Sequence, residues 1–338
     1  MKKILFTLCL EAALTGAQGQ IYIDSYRFAG PSECGGLLLD SDCIPDAEFA
    51  VSLRKLRTAY TGNCVEVRNA STGRTFTVGF SGDFIDTVRL KDSCATANCF
   101  VRTWYDQSGL GRDALQTTTD ARQPQITSSG ALFYTNGKME IRFDNTSGSE
   151  DVMTAGTAGN FNFLHNGTPS SVFAVARPFN SATPGNNYMN FIATATNTTS
   201  ILLGIGYATY WDNRSDIGRG RLYAEIAVNG SNSTFPVTGI TDTARTNLNA
   251  INFVADFIDA DNATAANRSE LYLNNDAVYK KNTQTGTVSA SNSDVLKLSV
   301  TTTPTFQGSM FEIIITDIDY KTKISSVKTN INNFYSIW

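Results

Sequence analysis

The groups able to move protons in this chain are mainly carboxylates, because the 338 residues include one histidine, His165. With one histidine the chain can hold at most one Ser-His-Asp triad, which would have to include His165. Zinc centres with several histidine ligands are excluded. His165 follows an aromatic cluster in a turn, where a lone histidine more often has a structural role. Any catalysis is therefore expected to use carboxylates, and no cofactor motif is found, so we expect no cofactor.

Two further groups of polar residues suggest binding. Trp211, Asp212 and Arg214 are predicted to lie in a loop between strands, where an aromatic platform with polar partners can hold a sugar. A surface or packing loop is the other interpretation. Asp259 and Asp261 offer oxygen atoms that calcium prefers, although the EF-hand pattern is absent and a solvated turn is the alternative.

The six cysteines all fall in the first third of the chain. Cys94 and Cys99 are separated by four small or polar residues, and Cys34 and Cys43 flank a turn. This spacing predicts two local disulfides, Cys94–Cys99 and Cys34–Cys43, and hence an oxidising compartment. Six free thiols or a zinc site are the alternatives, but the zinc reading lacks the C-x2-C spacing.

The elements that position these residues are predicted to be mostly β-strands. Short apolar or alternating runs recur between Val65 and Thr316, with Gly, Asn, Asp, Ser and Thr in the gaps, which is typical of an antiparallel β-sandwich. Helical spacing of apolar residues predicts one helix over residues 46–60 and another near the carboxyl terminus, where Ile324, Val327 and Ile331 share a face.

Charge and hydropathy narrow the classes of partner. The net charge is −4, so the chain has no basic surplus for nucleic acid. Residues 1–19 resemble a secretory leader or an amino-terminal arm, although Glu11 interrupts the apolar run. That segment is too short to cross a bilayer, and no transmembrane segment is predicted. Residues 20–338 are predicted to form one sandwich, with a disulfide-bearing extension over residues 20–120.

The amino-terminal third carries a specific pattern. An Ala-Tyr-Thr-Gly segment ends at Gly62, and the C-x4-C pair runs directly into Tyr105-Asp-Gln-Ser-Gly109. This order resembles the catalytic domain of the α-L-arabinofuranosidase B family of glycoside hydrolases, and a similar block occurs in phage tail and virion-surface proteins. The resemblance implies an all-β, concanavalin A-like antiparallel jelly roll, with one helix in the amino-terminal region and one at the carboxyl terminus.

The same resemblance gives a test of the chemistry. The family uses a glutamate nucleophile on a mid-domain strand, for which Glu225 is the nearest match, and an aspartate acid/base before the last strands. Residues 300–308 contain no Asp or Glu. The family's adjacent cysteine pair is also missing after Cys99. The reaction therefore lacks a second carboxylate at the place where the resemblance puts it.

These observations predict a non-catalytic, lectin-like structural or adhesion protein, on a phage virion or secreted. Its expected partners are a glycan or cell-surface polysaccharide and other virion or surface subunits, with homo-oligomers or a larger assembly. The alternative is a secreted glycoside hydrolase of the α-L-arabinofuranosidase type.

Overall fold

The computed structural model describes residues 34–144, 148–179, 188–194, 207–212, 221–226, 248–264, 267–276, 293–300 and 306–338. Residues 1–19, for which a leader is predicted, lie outside these ranges. The regular secondary structure of the described residues is mostly β-strand, and every strand pairing among them is antiparallel. The described strands are numbered β1–β21 and the two described α-helices are numbered α1 and α2, in chain order.

The first layer is a long antiparallel sheet whose far end carries the strand with Glu225. Its strands in spatial order are β3 (Thr75–Val78), β2 (Val65–Asn69), β6 (Cys99–Trp104), β7 (Ala114–Leu115), β13 (Met153–Ala155), β20 (Leu296–Leu298), β15 (Tyr188–Ala193), β16 (Tyr207–Asp212) and β17 (Arg221–Ile226).

The second layer is built around the nine-residue strand β21 (Gly308–Thr316). One edge of β21 pairs with β14, and the other edge is shared by β12 and β1. A pairing between β6 and β8 joins the two layers. The remaining strands of this layer are β9 (Ala131–Leu132), β8 (Gln125–Ser128), β12 (Ile141–Phe143), β1 (Phe49–Ser52), β14 (Ser170–Pro178), β18 (Asn252–Ile258) and β19 (Ser269–Leu273).

Side chains of the second layer point alternately to its two faces, and each face contributes to a separate hydrophobic core. Ile313 and Ile315 of β21 face the core between the layers, while Phe311 and Ile314 face a second core on the outer side. Helix α2 (Ile324–Tyr335) packs its buried face over that outer side, together with the loop that carries the first disulfide. Two short ribbons complete the described strands: β4 (Phe80–Ser81) with β5 (Phe84–Ile85), and β10 (Tyr134–Thr135) with β11 (Lys138–Met139).

The predicted all-β, concanavalin A-like antiparallel sandwich with two helices is confirmed, but the first helix was placed wrongly. Residues 46–60 are not helical: Phe49–Ser52 form β1, which pairs with Glu312–Ile315. Phe49 and Val51 enter one core and Ala50 enters the other, so strand alternation decides the structure. The helix of this region is α1 (Thr87–Cys94).

Helix α1 begins where Asp86 caps it. The Asp86 carboxylate accepts a hydrogen bond from the backbone N–H of Arg89 at 2.9 Å, which satisfies one free donor of the first turn. The helix ends at Cys94, which forms a disulfide with Cys99 at the start of β6.

Both predicted disulfides are present. Cys34 bonds to Cys43, and Cys94 bonds to Cys99. Cys64 is a buried free thiol, and its Sγ donates to the carbonyl oxygen of Ser52 at 3.4 Å. Burial raises the pKa of the Cys64 thiol well above its ordinary value. Among the described residues, neither helix has the length and apolar character needed to span a lipid bilayer.

Candidate functional site

An open cleft of about 380 Å³ lies where the ends of several strands of the second layer meet. Its floor and walls come from β6, β8 and β12, from the loop between β12 and β13, and from residues beside β14 and β21. We call it the acidic cleft; its principal lining residues are Phe100, Phe133, Arg142, Asp144, Asp151 and Phe179. The volume suits one or two sugar rings, which places the cleft in the usual range of small-ligand sites.

Two aspartates close the loop that borders the acidic cleft. The backbone N–H of Asp144 donates to Oδ2 of Asp151 at 2.7 Å, and the N–H of Asp151 donates to the carbonyl oxygen of Asp144 at 2.9 Å. Asp144 directly follows β12, and Asp151 lies two residues before β13. These reciprocal bonds hold the two residues side by side on one wall of the cleft.

The two carboxyl groups differ in their environment. Asp144 is exposed, whereas Asp151 is only 6% exposed. Burial raises the pKa of Asp151 to about 8, the hydrogen bond from the Asp144 backbone opposes this, and the nearby charge of Asp144 adds to it. At neutral pH the Asp151 carboxyl therefore mostly keeps its proton. A protonated carboxylic acid in an open cleft can act as a general acid toward a glycosidic oxygen.

The lining of the cleft also combines a cation with aromatic rings. The Arg142 guanidinium lies 3.6 Å from the centre of the Phe133 ring and forms an ion pair with Glu140 at 2.8 Å. Glu140 is fully buried and pairs also with Arg177 at 2.7 Å. These contacts fix the side chain of Arg142, so its position in the cleft is set by the protein rather than by solvent.

One end of the acidic cleft adjoins the segment in which the sequence resemblance places an acid/base. Gln307 lines the cleft, and its carbonyl oxygen accepts from the backbone N–H of Phe179 at 2.9 Å. Residues 301–305, immediately before it, lie outside the described residues. Asp144 and Asp151 line the same cleft as Gln307.

Three of the residues that the sequence analysis considered for catalysis or sugar binding lie on strands of the first layer: Glu225, Trp211 and Asp212. Glu225 lies in β17, where its Cα pairs with that of Ala208 in β16. Trp211 and Asp212 are the last residues of β16, so their predicted position in a loop was wrong. Their strand is held by pairing with β15 and β17, a partnership that the local sequence does not reveal. Arg214 lies outside the described residues.

The calcium candidates Asp259 and Asp261 lie in the turn after β18. Oδ2 of Asp259 accepts from the side-chain amide of Asn262 at 2.7 Å, which is an Asx-type contact within the turn. The Asp261 carboxyl lies against Gly167. The described ranges hold no cluster of three or more His, Cys, Asp or Glu that could bind a metal.

Two other polar residues have structural positions. Asp106 accepts hydrogen bonds from the backbone N–H groups of Ala50, Ser108 and Arg112 at 2.9, 2.9 and 3.0 Å, so it closes the turn that contains it. His165 is buried at the end of a short 3-10 turn and does not line the acidic cleft.

The sequence analysis missed the pair formed by Asp144 and Asp151. The two residues stand in Asp144-Asn-Thr-Ser-Gly-Ser-Glu-Asp151, a polar stretch that matches no catalytic motif. A polar loop between two short apolar runs was the one signal available. The loop borders a cleft because residues of β6 and β8 and a residue beside β21 line the rest of it, and these elements are separated from the loop in the sequence.

Comparison with solved structures identifies the fold more closely. The chain is similar to an arabinofuranosidase complexed with arabinofuranosyl-α-1,2-xylobiose, with a TM-score of 0.58 and 17% identity over 84% of this chain. It is similar to a glutamine mutant of a GH54 α-L-arabinofuranosidase soaked with 4-nitrophenyl α-L-arabinofuranoside (TM-score 0.57, 16% identity). A third GH54 structure, soaked with a cyclic sulfate inhibitor, gives a TM-score of 0.56 and 17% identity.

These likenesses define the class of fold. The chain spans 62% of the length of each of the three arabinofuranosidase structures. At 16–17% identity, the similarity establishes the shared β-sandwich fold and leaves the activity to be argued from the site. No protein-family model matches the chain, and no curated protein matches it.

The comparison corrects the functional prediction. The interpretation as a non-catalytic structural or adhesion protein was wrong, because the matched structures at these TM-scores are arabinofuranosidases. The glycoside hydrolase alternative is better supported. A virion, host attachment and assembly with other subunits receive no support from these matches.

Proposed function

We propose that this protein is a glycoside hydrolase of the α-L-arabinofuranosidase type that uses the acidic cleft as its active site. The observation that carries the proposal is the placement of Asp151 and Asp144 side by side in an open, aromatic-walled cleft. The sequence pattern from Gly62 to Gly109 and the shared fold support the same class. The substrate class is a glycan that carries terminal arabinofuranose.

The carboxyl groups have different roles in this proposal. Asp151 donates its proton to the glycosidic oxygen, so the sugar leaves as the bond to that oxygen breaks. A water molecule attacks the anomeric carbon from the face opposite the leaving group, and in this proposal the exposed Asp144 carboxylate reaches that water and accepts the proton that it loses. Arg142 and the aromatic rings orient the sugar. Exchange of protons with solvent then restores both carboxyl groups to the states in which they began.

Burial matches Asp151 to the role of acid. A general acid works best when its pKa lies near the working pH, because it is then protonated before the reaction and able to release the proton during it. The pKa of about 8 meets this condition at neutral pH. The exposed position of Asp144 leaves room for water to approach it.

Release of arabinose from arabinofuranosyl-α-1,2-xylobiose tests the proposal. We expect the wild type to release arabinose, and Asp151→Asn and Asp144→Asn each to lose most of that rate. Asp120→Asn is the matched control, because this carboxyl group is 65% exposed and does not line the cleft. Absence of hydrolysis by the wild type across arabinofuranosides would overturn the proposed function.

Glu225→Gln separates the two candidate positions for the reaction. If this change abolishes hydrolysis while Asp151→Asn leaves it intact, the chain is a hydrolase whose reaction occurs on the first layer, and the assignment to the acidic cleft is wrong. Secretion is part of the proposal, and the two disulfides support an oxidising destination.

A further inference from the structure

A second concavity is lined in part by the β10–β11 ribbon. Phe133 lines the acidic cleft, whereas the next residue, Tyr134, lines this second concavity of about 260 Å³. We call it the aromatic groove; its walls include Phe84, Tyr134, Lys138 and Phe334. Its volume suits a ligand with one ring and a short substituent.

Two aromatic side chains of the aromatic groove are about half exposed to solvent. Phe84 is 51% exposed and Tyr134 is 47% exposed. Phe84 stacks on Phe334, with ring centres 5.5 Å apart and an angle of 19° between the planes. Exposed rings in a concave site can bury an apolar, flat ligand, and the energetic gain scales with the apolar area removed from water.

Lys138 faces these rings and, within the part of the chain that the structure describes, forms no ion pair with a carboxylate. Nζ of Lys138 lies 4.0 Å from the centre of the Phe334 ring and 5.9 Å from that of Phe84. Among the described residues that line the groove, none is an Asp or a Glu. Lys138 is partly buried, so it is less well hydrated than a lysine on an open surface.

The other cation of the groove is already neutralised. Arg54 lies under the rings, and its Nε and Nη2 donate to the Glu312 carboxylate at 2.7 and 2.9 Å. Its Nη1 donates to Asn330 at 3.0 Å. Lys138 therefore leaves the groove with a net positive charge that a bound anion can balance.

We propose that the aromatic groove binds a small aromatic carboxylate of the benzoate or cinnamate type. The aromatic ring packs against the exposed faces of Phe84 and Tyr134, and the carboxylate forms an ion pair with Lys138. An aromatic ring fits these walls better than a sugar ring, because a sugar brings several hydroxyl groups and the walls are mainly apolar. This site is separate from the acidic cleft and does not depend on its activity.

Calorimetric titration with sodium cinnamate tests the site on the full chain. We expect saturable binding by the wild type, and about tenfold weaker binding of methyl cinnamate, because an ester has no charge for Lys138. Lys138→Met should weaken cinnamate binding by a similar factor. Lys91→Met is the control, since Lys91 is exposed and lies outside the groove, and it should bind like the wild type.

Three results would overturn the proposal. One is no binding of cinnamate at millimolar concentration, and another is equal binding of the acid and its ester. The third is tighter binding of glucuronate than of cinnamate, which would make the ligand an acidic sugar. The comparison of acid with ester uses the wild type alone, so it remains valid even if Lys138→Met folds poorly.

Discussion

The backbone N–H of Asp144 donates to Oδ2 of Asp151 at 2.7 Å, and this contact joins the two ends of the loop that borders the acidic cleft. The contact stabilises the ionised form of Asp151, yet burial has the larger effect and keeps the pKa of this carboxyl raised to about 8. The two aspartates therefore provide an acid and a base at one edge of a β-sandwich.

The raised pKa of Asp151 makes folding stability depend on pH. An aspartate in the unfolded chain has a pKa of about 3.9. The folded state binds the proton more tightly than the unfolded chain does. The contribution of Asp151 to the free energy of unfolding therefore decreases as pH rises from about 3.9 to about 8. Asp151→Asn removes the titration but can still accept the Asp144 N–H.

Thermal melts from pH 4 to pH 9 measure this effect. The melting temperature of Asp151→Asn, taken relative to the wild type, should rise from pH 4 to pH 8 and then level off. Asp120→Asn, at an exposed carboxyl group, is measured in parallel as the matched substitution. A constant difference between Asp151→Asn and the wild type would show that Asp151 titrates normally.

The fold class could be predicted from the sequence, but the active-site geometry could not. Alternating apolar runs and Asn- and Gly-rich gaps are local signals, and they gave the sandwich and helix α2. The strand β1 was mistaken for a helix because Ala50, Leu53 and Leu56 happen to recur at helical spacing. Its true partner, β21, lies about 260 residues away in the chain.

The acidic pair illustrates the same limit. Nothing in the polar loop that contains Asp144 and Asp151 distinguishes those residues from a solvated turn. Their importance comes from burial of Asp151 and from the walls that distant strands supply. The disulfides were predictable because their spacing is short, with nine residues of separation for Cys34–Cys43 and five for Cys94–Cys99.

The buried ion pair between Arg54 and Glu312 should stabilise the attachment of helix α2. Glu312 also accepts hydrogen bonds from Ser52 at 3.0 Å and from Tyr335 of α2 at 3.1 Å. Glu312→Gln leaves the Arg54 cation buried without a counter-charge, which should cost about 3–5 kcal/mol of unfolding free energy.

Urea unfolding of Glu312→Gln and of Glu66→Gln compares the free energy lost when a buried ion pair and a partly exposed ion pair are broken. Glu66 pairs with Arg102 at 2.5 Å, but both side chains are more than 20% exposed, so its loss should cost about 1 kcal/mol or less. Equal costs for the two changes would contradict a stabilising role for the buried pair.

Gly130 should tolerate no side chain. Its φ is +76°, and a Cβ there would lie 1.9 Å from the carbonyl oxygen of Ala95. Gly137 has a similar φ of +72°, but a Cβ there meets nothing within 4 Å. Gly137→Ala should therefore cost about 1–2 kcal/mol for the backbone conformation alone.

Gly130→Ala should cost clearly more than Gly137→Ala, because the backbone around Ala95 has to move as well. Chemical denaturation of the two variants compares them directly. If both lose the same stability, the close approach of Gly130 to the loop between the disulfide cysteines does not contribute to folding.

The dependence of hydrolysis on the leaving group tests the central claim most directly. A 4-nitrophenyl group leaves without protonation, whereas the methoxy group of methyl α-L-arabinofuranoside needs the proton of Asp151. We predict that the wild type hydrolyses both, and that Asp151→Asn loses about 10²–10⁴-fold on the methyl glycoside while keeping most of its rate on the 4-nitrophenyl glycoside. Equal losses on both substrates, or none on the methyl glycoside, would contradict the role of Asp151 as the acid.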